Sequence, residues 1–328
     1  MPTVYVSRRI PDEGLKLLEA RGHHVVVSPH DRVLTKEELV AAIREHRPEA
    51  LLCQLTDRVD GDVLDAGKPN LRIVANYAVG MDNVNLVAAK ARGIVVTNTP
   101  GVLTDAVAEH TVALMFALAR RIPEADRYAK SGRYQGWDPF LFLGMELKGK
   151  TLGIIGLGRI GFGVAERCVK GMGMRVRYSD PKTNPDFERE LGGQFRSLDD
   201  LLRESDVVSI HVPLLPSTRH LINADRLGRM KPTALLVNTS RGPIVDEAAL
   251  LDALESKKIA GAALDVFECE PSIVCRPDDH LRLKALPNVI LTPHIASATH
   301  EARQAMSRLA AENILAVLDG REPPNIVR

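Results

Sequence analysis

No charge excess marks this chain. Lys plus Arg number 43 against 42 for Asp plus Glu, a formal net charge of +1, so nothing in the balance draws the protein to nucleic acid or to an anionic membrane surface. No apolar run approaches the roughly 18 to 20 residues that span a bilayer. The opening MPTVYVSRRIPDEG lacks the basic segment, apolar stretch and small-residue cleavage site of an export signal, and a cytoplasmic location is expected. Cysteine is scarce as well. Cys53, Cys168, Cys269 and Cys275 form no C-x-x-C pair, which argues against a zinc site or a disulfide framework and favours burial as small apolar side chains. Sequence repeats, low-complexity tracts and linker-like composition are missing, so domain boundaries should fall at turns. The partner left by these exclusions is a small molecule.

What is present is enough apolar residue for two cores: 328 residues, 45% hydrophobic and 26% charged, exceed what one hydrophobic core normally serves. Short β-rich runs at 3–6, 24–27, 50–53, 71–75 and 94–97 alternate with amphipathic helical stretches at 13–21, 36–46 and 84–91. Such alternation builds a parallel sheet with helices on both faces. Asn98, Thr99, Pro100 and Gly101 interrupt it, and a long apolar helix is expected over 104–120, ended or kinked at Pro123. At 1.5 Å per residue it spans about 25 Å, enough to carry the chain from one domain to the next. Residues 130–149 hold the single Trp, Trp137, with Phe140, Phe142 and several glycines but little periodicity, which reads as an arm for subunit contact. Further strands are expected at 207–210, 234–237, 260–264 and 289–291, with helices at 197–204, 223–229, 247–256 and 299–318.

The densest signal is TLGIIGLGRIGFGVAERCVKGMGMRVRYSD, residues 151–180. A buried strand at 152–155 feeds Gly156, Gly158 and Gly161 in G-x-G-x-x-G spacing, and a helix starts at once. Lack of a Cβ allows a tight turn at Gly156, approach of a pyrophosphate to the backbone at Gly158, and close packing of helix on strand at Gly161. The helix N-terminus offers unpaired N–H groups and partial positive charge to phosphates. A second strand ends at Asp180, nineteen residues after Gly161, where a carboxylate accepts from both ribose hydroxyls. A 2′-phosphate there would meet like charge, so NADH is favoured over NADPH, while Lys182 leaves room for dual use.

Beyond the glycine loop, the phrases VSIHVPL with Thr218, LLVNTSRGPIVDE, LDVFECEP and LTPHIASAT, with NYAVGMDN and TNTPGVLTDAVAE earlier, span nearly the whole chain. Together they resemble the D-2-hydroxyacid dehydrogenase family, and GWDPFLFLGMELKGKTLGIIGLGRIG, SATHEAR and PPNIVR are most similar to its glyoxylate and hydroxypyruvate reductases. The resemblance implies an α/β fold of two Rossmann-like or flavodoxin-like parallel-sheet domains with an active-site cleft between them. The substrate domain would be discontinuous, residues 1–98 and 296–328, and the NAD domain, 99–295, inserted. A homodimer joined through the long helix and the Trp137 arm is implied too, with entry of Trp137 into the partner's active site left open.

Reducing a 2-oxo acid requires a cation for the carboxylate, a proton donor for the carbonyl oxygen, and a hydride from nicotinamide. Arg241 suits the first need through a two-bond fork. His294 suits the second, because imidazole titrates near neutrality, and Glu270 would orient it and favour the imidazolium. The resemblance assigns this triad position by position. It also implies cofactor contacts from Thr104, Arg159, Ile160, Val212, Pro213, Thr218, Thr239, Arg241, Asp265 and His294, and substrate contacts from Leu55 and the Val79 and Gly80 backbone. Asp265 would accept from the carboxamide. A related phosphite-oxidising enzyme carries Lys where Val79 stands here, which sets phosphite aside. D-lactate or D-3-phosphoglycerate dehydrogenase, or a corepressor-like NAD-sensing binding protein, are the alternatives. No metal is expected.

Overall fold

Aliphatic and β-branched runs form the strands, and the helices between them start at residues that cap them. The computed structural model describes residues 1–270 and 281–327. They divide into two units, residues 1–103 with 298–327, and residues 104–270 with 281–297.

In the first unit β1 (Thr3–Val6), β2 (His24–Val27), β3 (Ala50–Gln54), β4 (Ile73–Tyr77) and β5 (Val95–Thr97) make an all-parallel sheet in the order β2-β1-β3-β4-β5, the flavodoxin-like arrangement. Helices α1 (Asp12–Ala20), α2 (Lys36–His46), α3 (Gly61–Ala66) and α4 (Leu86–Ala91) connect the strands. Thr35 and Glu38 form a reciprocal capping box that fixes where α2 begins. Leu18 and Ile43, fully buried on α1 and α2, each contribute about 1.5–3 kcal/mol by leaving water. The last helix, α13 (His300–Leu318), returns to this sheet. Ser307 Oγ on α13 accepts from Gly14 N at 3.0 Å, and Tyr77 on β4 donates through its hydroxyl to the Arg303 carbonyl at 2.7 Å. A Cβ on Gly14 would overlap the Ser307 backbone, so α1 and α13 meet only because that residue is glycine.

The second unit begins with α5 (Thr104–Ala119) and α6 (Ile122–Lys130). Pro123 neither ends nor kinks a helix here. Arg121 turns the chain with φ +54°, and Pro123 sits in the first turn of α6, where its missing N–H costs nothing. Then come β6 (Thr151–Ile155), α7 (Arg159–Met172), β7 (Arg175–Ser179), α8 (Pro185–Leu191), β8 (Gln194–Phe195), α9 (Leu198–Glu204) and β9 (Val207–Ile210). They are followed by α10 (Ala224–Leu227), β10 (Leu235–Asn238), α11 (Glu247–Glu255), β11 (Gly261–Leu264), α12 (Leu281–Ala285) and β12 (Val289–Leu291). The sheet runs β12-β11-β10-β9-β6-β7-β8, all parallel. Strand order reverses beside β6, the switch point where doubly wound sheets bind ligands. Leu152, Ile154, Val176 and Tyr178 face one core with α5 and α7, while Ile155, Val208, Leu236 and Leu264 face the other. No helix among the described residues is long and apolar enough to cross a membrane.

Candidate active site

The glycine loop shows directly why a side chain is not tolerated. Gly156 has φ +92°, and a Cβ there would lie 2.7 Å from Val212 Cγ1 and 2.8 Å from Val212 N. A Cβ on Gly161 would overlap the Gly156 carbonyl oxygen, so helix and turn pack on bare backbone. Gly158 is different. It caps α7, is exposed, and has open space where a Cβ would be, which leaves the approach to the backbone clear. With no acidic residue in its first turn and no side-chain cap, α7 presents its first N–H groups and positive dipole end outward. Those features fit a dinucleotide pyrophosphate. Arg159, the first residue of α7, is exposed, and Ile160 packs partly against the core.

Asp180 follows β7, half-exposed, and its Oδ2 accepts from Leu157 N at 2.8 Å. The carboxylate therefore pins the glycine loop while still reaching solvent. Val212 and Pro213 follow β9, and Thr218 closes their loop, donating to the Pro213 carbonyl at 2.7 Å and accepting from Leu215 N at 2.8 Å. Thr104, half-buried, opens α5 where that helix packs on α7.

At the ends of β10, β11 and β12 the construction changes. Asn238 shapes the turn after β10, accepting from Ser240 N at 3.0 Å and donating to the Arg241 carbonyl at 2.9 Å. Ser240 Oγ donates to the Val212 carbonyl at 2.5 Å, tying this turn to the loop after β9. Thr239 is buried, with its hydroxyl 2.8 Å from that of Thr111 on α5. Since Thr111 already donates to the Val107 carbonyl at 2.7 Å, Thr239 is the donor of that pair. The half-buried Arg241 donates from Nη1 to the Ser240 carbonyl at 2.8 Å.

Asp265 is wholly buried after β11. Its Oδ1 accepts from Thr292 Oγ1 at 2.6 Å and Ile295 N at 2.9 Å, its Oδ2 from Ala296 N at 2.8 Å, and His110 Nε2 on α5 lies 3.5 Å from Oδ1. Burial acts to raise the Asp265 pKa, but the donors from His110, Thr292, Ile295 and Ala296 outweigh it and hold the group below the usual carboxylate value. What Asp265 visibly does is clamp the turn carrying His294, whose own N–H bonds the Asp265 carbonyl at 2.8 Å. That clamp matters because His294 has φ +53°, a left-handed conformation costing an L-residue about 1–2 kcal/mol. His294 Nδ1 is 2.8 Å from Glu270 Oε2. A carboxylate on Nδ1 selects the tautomer with its proton there and leaves Nε2 for a reacting oxygen. His211 is no competitor as proton donor, since burial pulls its pKa down to about 3.

The first unit carries a loop of oriented amides after β4. Thr99 N donates to the Ala78 carbonyl at 2.8 Å, and Asn98 Nδ2 to the Val79 carbonyl at 2.8 Å. Across a trans peptide the N–H points opposite to the C=O, so the Val79 and Gly80 amides are both turned to the other side. Asn76 holds the Gly80 carbonyl at 2.9 Å. Leu55, half-buried, follows β3.

Sequence reasoning did not reach His110, Thr111, Asn238, Ser240, Thr292, His220, Glu247 or Glu268, whose parts depend on contacts between distant segments. Cys53 and Cys168 are buried thiols, as expected, Cys269 departs from that reading in being disulfide-bonded, and Cys275 lies outside the described residues.

Residues 112–296 match the family model described as D-isomer specific 2-hydroxyacid dehydrogenase, NAD binding domain. Over 328 residues the chain is 50% identical to a glyoxylate reductase of Thermofilum pendens, covering 99% of this chain and 94% of that one. A crystal structure of a Thermus thermophilus protein superposes with TM-score 0.91 at 45% identity, covering 99% of this chain and all of the other. The NADPH-dependent glyoxylate/hydroxypyruvate reductase of Sinorhizobium meliloti, solved with citrate, gives TM-score 0.82 at 34% identity, covering 100% of this chain and 97% of that one.

Proposed function

The chain belongs to the D-isomer specific 2-hydroxyacid dehydrogenases, and from that premise we propose that it reduces a small 2-oxo acid, glyoxylate or hydroxypyruvate, to the D-2-hydroxy acid with NADH. The observation that carries this reading is the His294–Glu270 pair at 2.8 Å, set in the same unit as a glycine loop open for a dinucleotide. Bound nicotinamide supplies the hydride. The chain's own groups do the rest. Arg241 holds the substrate carboxylate, the Val79 and Gly80 amides and Leu55 also contact the substrate, and His294 gives the Nε2 proton to the carbonyl oxygen. Glu270, bonded to Nδ1 at 2.8 Å, keeps the ring in place. Thr104, Arg159, Ile160, Val212, Pro213 and Thr218 line the dinucleotide's path, and Thr239 and Asp265 belong to its nicotinamide end.

NADH is the preferred cofactor because Asp180 would face a 2′-phosphate with like charge. A homodimer is supported by the apolar side chains left in water from the last turn of α5 to β6. Trp137 is 83% and Phe140 79% exposed, with Phe116, Ile122, Tyr134 and Leu143 exposed on the same stretch, more than a lone surface keeps uncovered. The setting proposed is the cytoplasm.

The test is a panel of glyoxylate, hydroxypyruvate, pyruvate and 3-phosphohydroxypyruvate with NADH and NADPH, followed by loss of nicotinamide absorbance. The expected outcome is the highest kcat/KM with glyoxylate or hydroxypyruvate and NADH. A preference for pyruvate or 3-phosphohydroxypyruvate, or no oxidation of NADH at all, overturns the assignment.

A further inference from the structure

Two residues before Glu270, a second glutamate holds a second histidine. His220 Nε2 lies 2.6 Å from Glu268 Oε1, and His220, like His294, has a left-handed backbone, with φ +48°. The pair stands where three segments meet. One is the loop after β9, which carries Val212, Pro213 and Thr218. The second is the turn from Arg241 into α11. The third is the 267–270 turn, in which Glu270 N bonds the Phe267 carbonyl at 3.1 Å.

The first two segments are joined through backbone. His220 N donates to the Pro243 carbonyl at 2.8 Å, Ile222 N to the Ile244 carbonyl at 3.0 Å, and Asp246 N to the Ile222 carbonyl at 3.0 Å. The third segment is joined to the second by reciprocal bonds between glutamates. Glu268 N donates to Glu247 Oε1 at 2.5 Å, and Glu247 N donates to Glu268 Oε2 at 3.4 Å. A Cβ on Gly242 would overlap the Phe267 carbonyl group and Glu268 N, so the Arg241 turn lies directly on the backbone leading to Glu270. Glu247 is buried, and two carboxylates so close repel unless donors or a cation offset them. His220 is the ionisable donor bonded to Glu268; the other charged residues of the three segments are Arg219 beside it, Arg241, Asp246 and Glu247 in the second, and Glu270 in the third.

We propose that His220 and Glu268 form a positioning pair, which locks the 267–270 turn to the loop after β9 and so sets Glu270 against His294. His220 acts through Glu268 and touches neither the reacting carbon nor its oxygen. The proposal rests on the reductase reading for its kinetic consequence, and its geometry can be tested without any substrate.

The decisive experiment is the NMR signal of the His294 Nδ1–H proton in the full chain, whose downfield shift reports its bond to Glu270, comparing wild type with His220→Ala and His220→Gln, each first shown to keep the wild-type melting profile. If the pair positions Glu270, His220→Ala moves that signal upfield or loses it to solvent exchange, because the carboxylate is no longer held against the ring. His220→Gln retains an N–H donor for Glu268 and restores most of the signal. With a substrate in hand, His220→Ala should lower kcat about tenfold, corresponding to roughly 1.4 kcal/mol of activation free energy. The Kd for NADH should stay within about threefold of wild type, a change well under that same 1.4 kcal/mol. In the Glu268→Ala background, His220→Ala should add little further loss. An unmoved His294 signal in a folded His220→Ala variant overturns the proposal, as does a His220→Gln variant no better than His220→Ala. If no acid of the panel is turned over, the reductase reading fails alone, and the NMR signal still decides the pair.

Discussion

At the end of β6 the groups offered to a ligand are backbone amides and the space left by absent Cβ atoms at Gly156, Gly158 and Gly161. At the ends of β10, β11 and β12 they are ionisable side chains, each held by another residue: Arg241 by the Asn238 turn, His294 by Glu270 and by the Asp265 clamp. Two aspartates at strand ends of one sheet make the contrast concrete. Asp180 is half-exposed, with one oxygen on the glycine loop and the other accepting a long 3.4 Å bond from Lys182 N, whereas Asp265 is wholly buried and accepts three bonds of 2.6, 2.9 and 2.8 Å. Binding the dinucleotide and performing the chemistry are therefore separable tasks. Adding a methyl group should damage the first end, and trimming side chains should damage the second.

The largest expected effect is at His294. His294→Asn should lower kcat about a thousandfold, within the usual range for loss of a general acid, while NADH binding measured by nicotinamide fluorescence stays nearly unchanged. Comparable loss of both would erase the distinction between the ends. Next, Arg241→Ala should cut kcat/KM for glyoxylate about a hundredfold, near the strength of a charge-assisted fork; a fall smaller than about tenfold, roughly 1.4 kcal/mol, rules out the carboxylate grip. At the opposite end, Gly156→Ala places a Cβ against Val212 at a φ of +92°. Weaker NADH binding by about tenfold and a stability loss of about 1–3 kcal/mol are expected, with kcat at saturating cofactor little altered. Wild-type affinity for NADH would show that the missing Cβ is not what matters there. Smallest is Asp180→Arg, which should move the NADPH to NADH ratio of kcat/KM several-fold upward, since a repulsive charge of order 1 kcal/mol becomes attractive. An unchanged ratio places the ribose elsewhere.

The same contrast explains how much the sequence disclosed. Gly156, Gly158, Gly161 and Asp180 are legible because the strand, turn, helix and second strand that use them are consecutive, and local spacing encodes local geometry. The two parallel sheets follow from periodicity for the same reason. Arg241, Glu270 and His294 came from whole phrases, since an isolated Arg, Glu or His carries no such pattern. The support beneath them was hidden. Asp265 reaches Ile295 and Ala296 about thirty residues on, His110 approaches from α5, and His220 meets Glu268 forty-eight residues away. Pro123 signals a helix end and a helix start alike, and the left-handed Arg121 shows that a second helix starts there.

The central claim is that the chain delivers hydride to one face of a 2-oxo acid whose carboxylate is anchored and whose carbonyl receives a proton from His294. The most direct measurement is the configuration of the glycerate formed from hydroxypyruvate and NADH, by chiral separation of the product. D-glycerate alone is the predicted result. L-glycerate, or a mixture of the two, would contradict it.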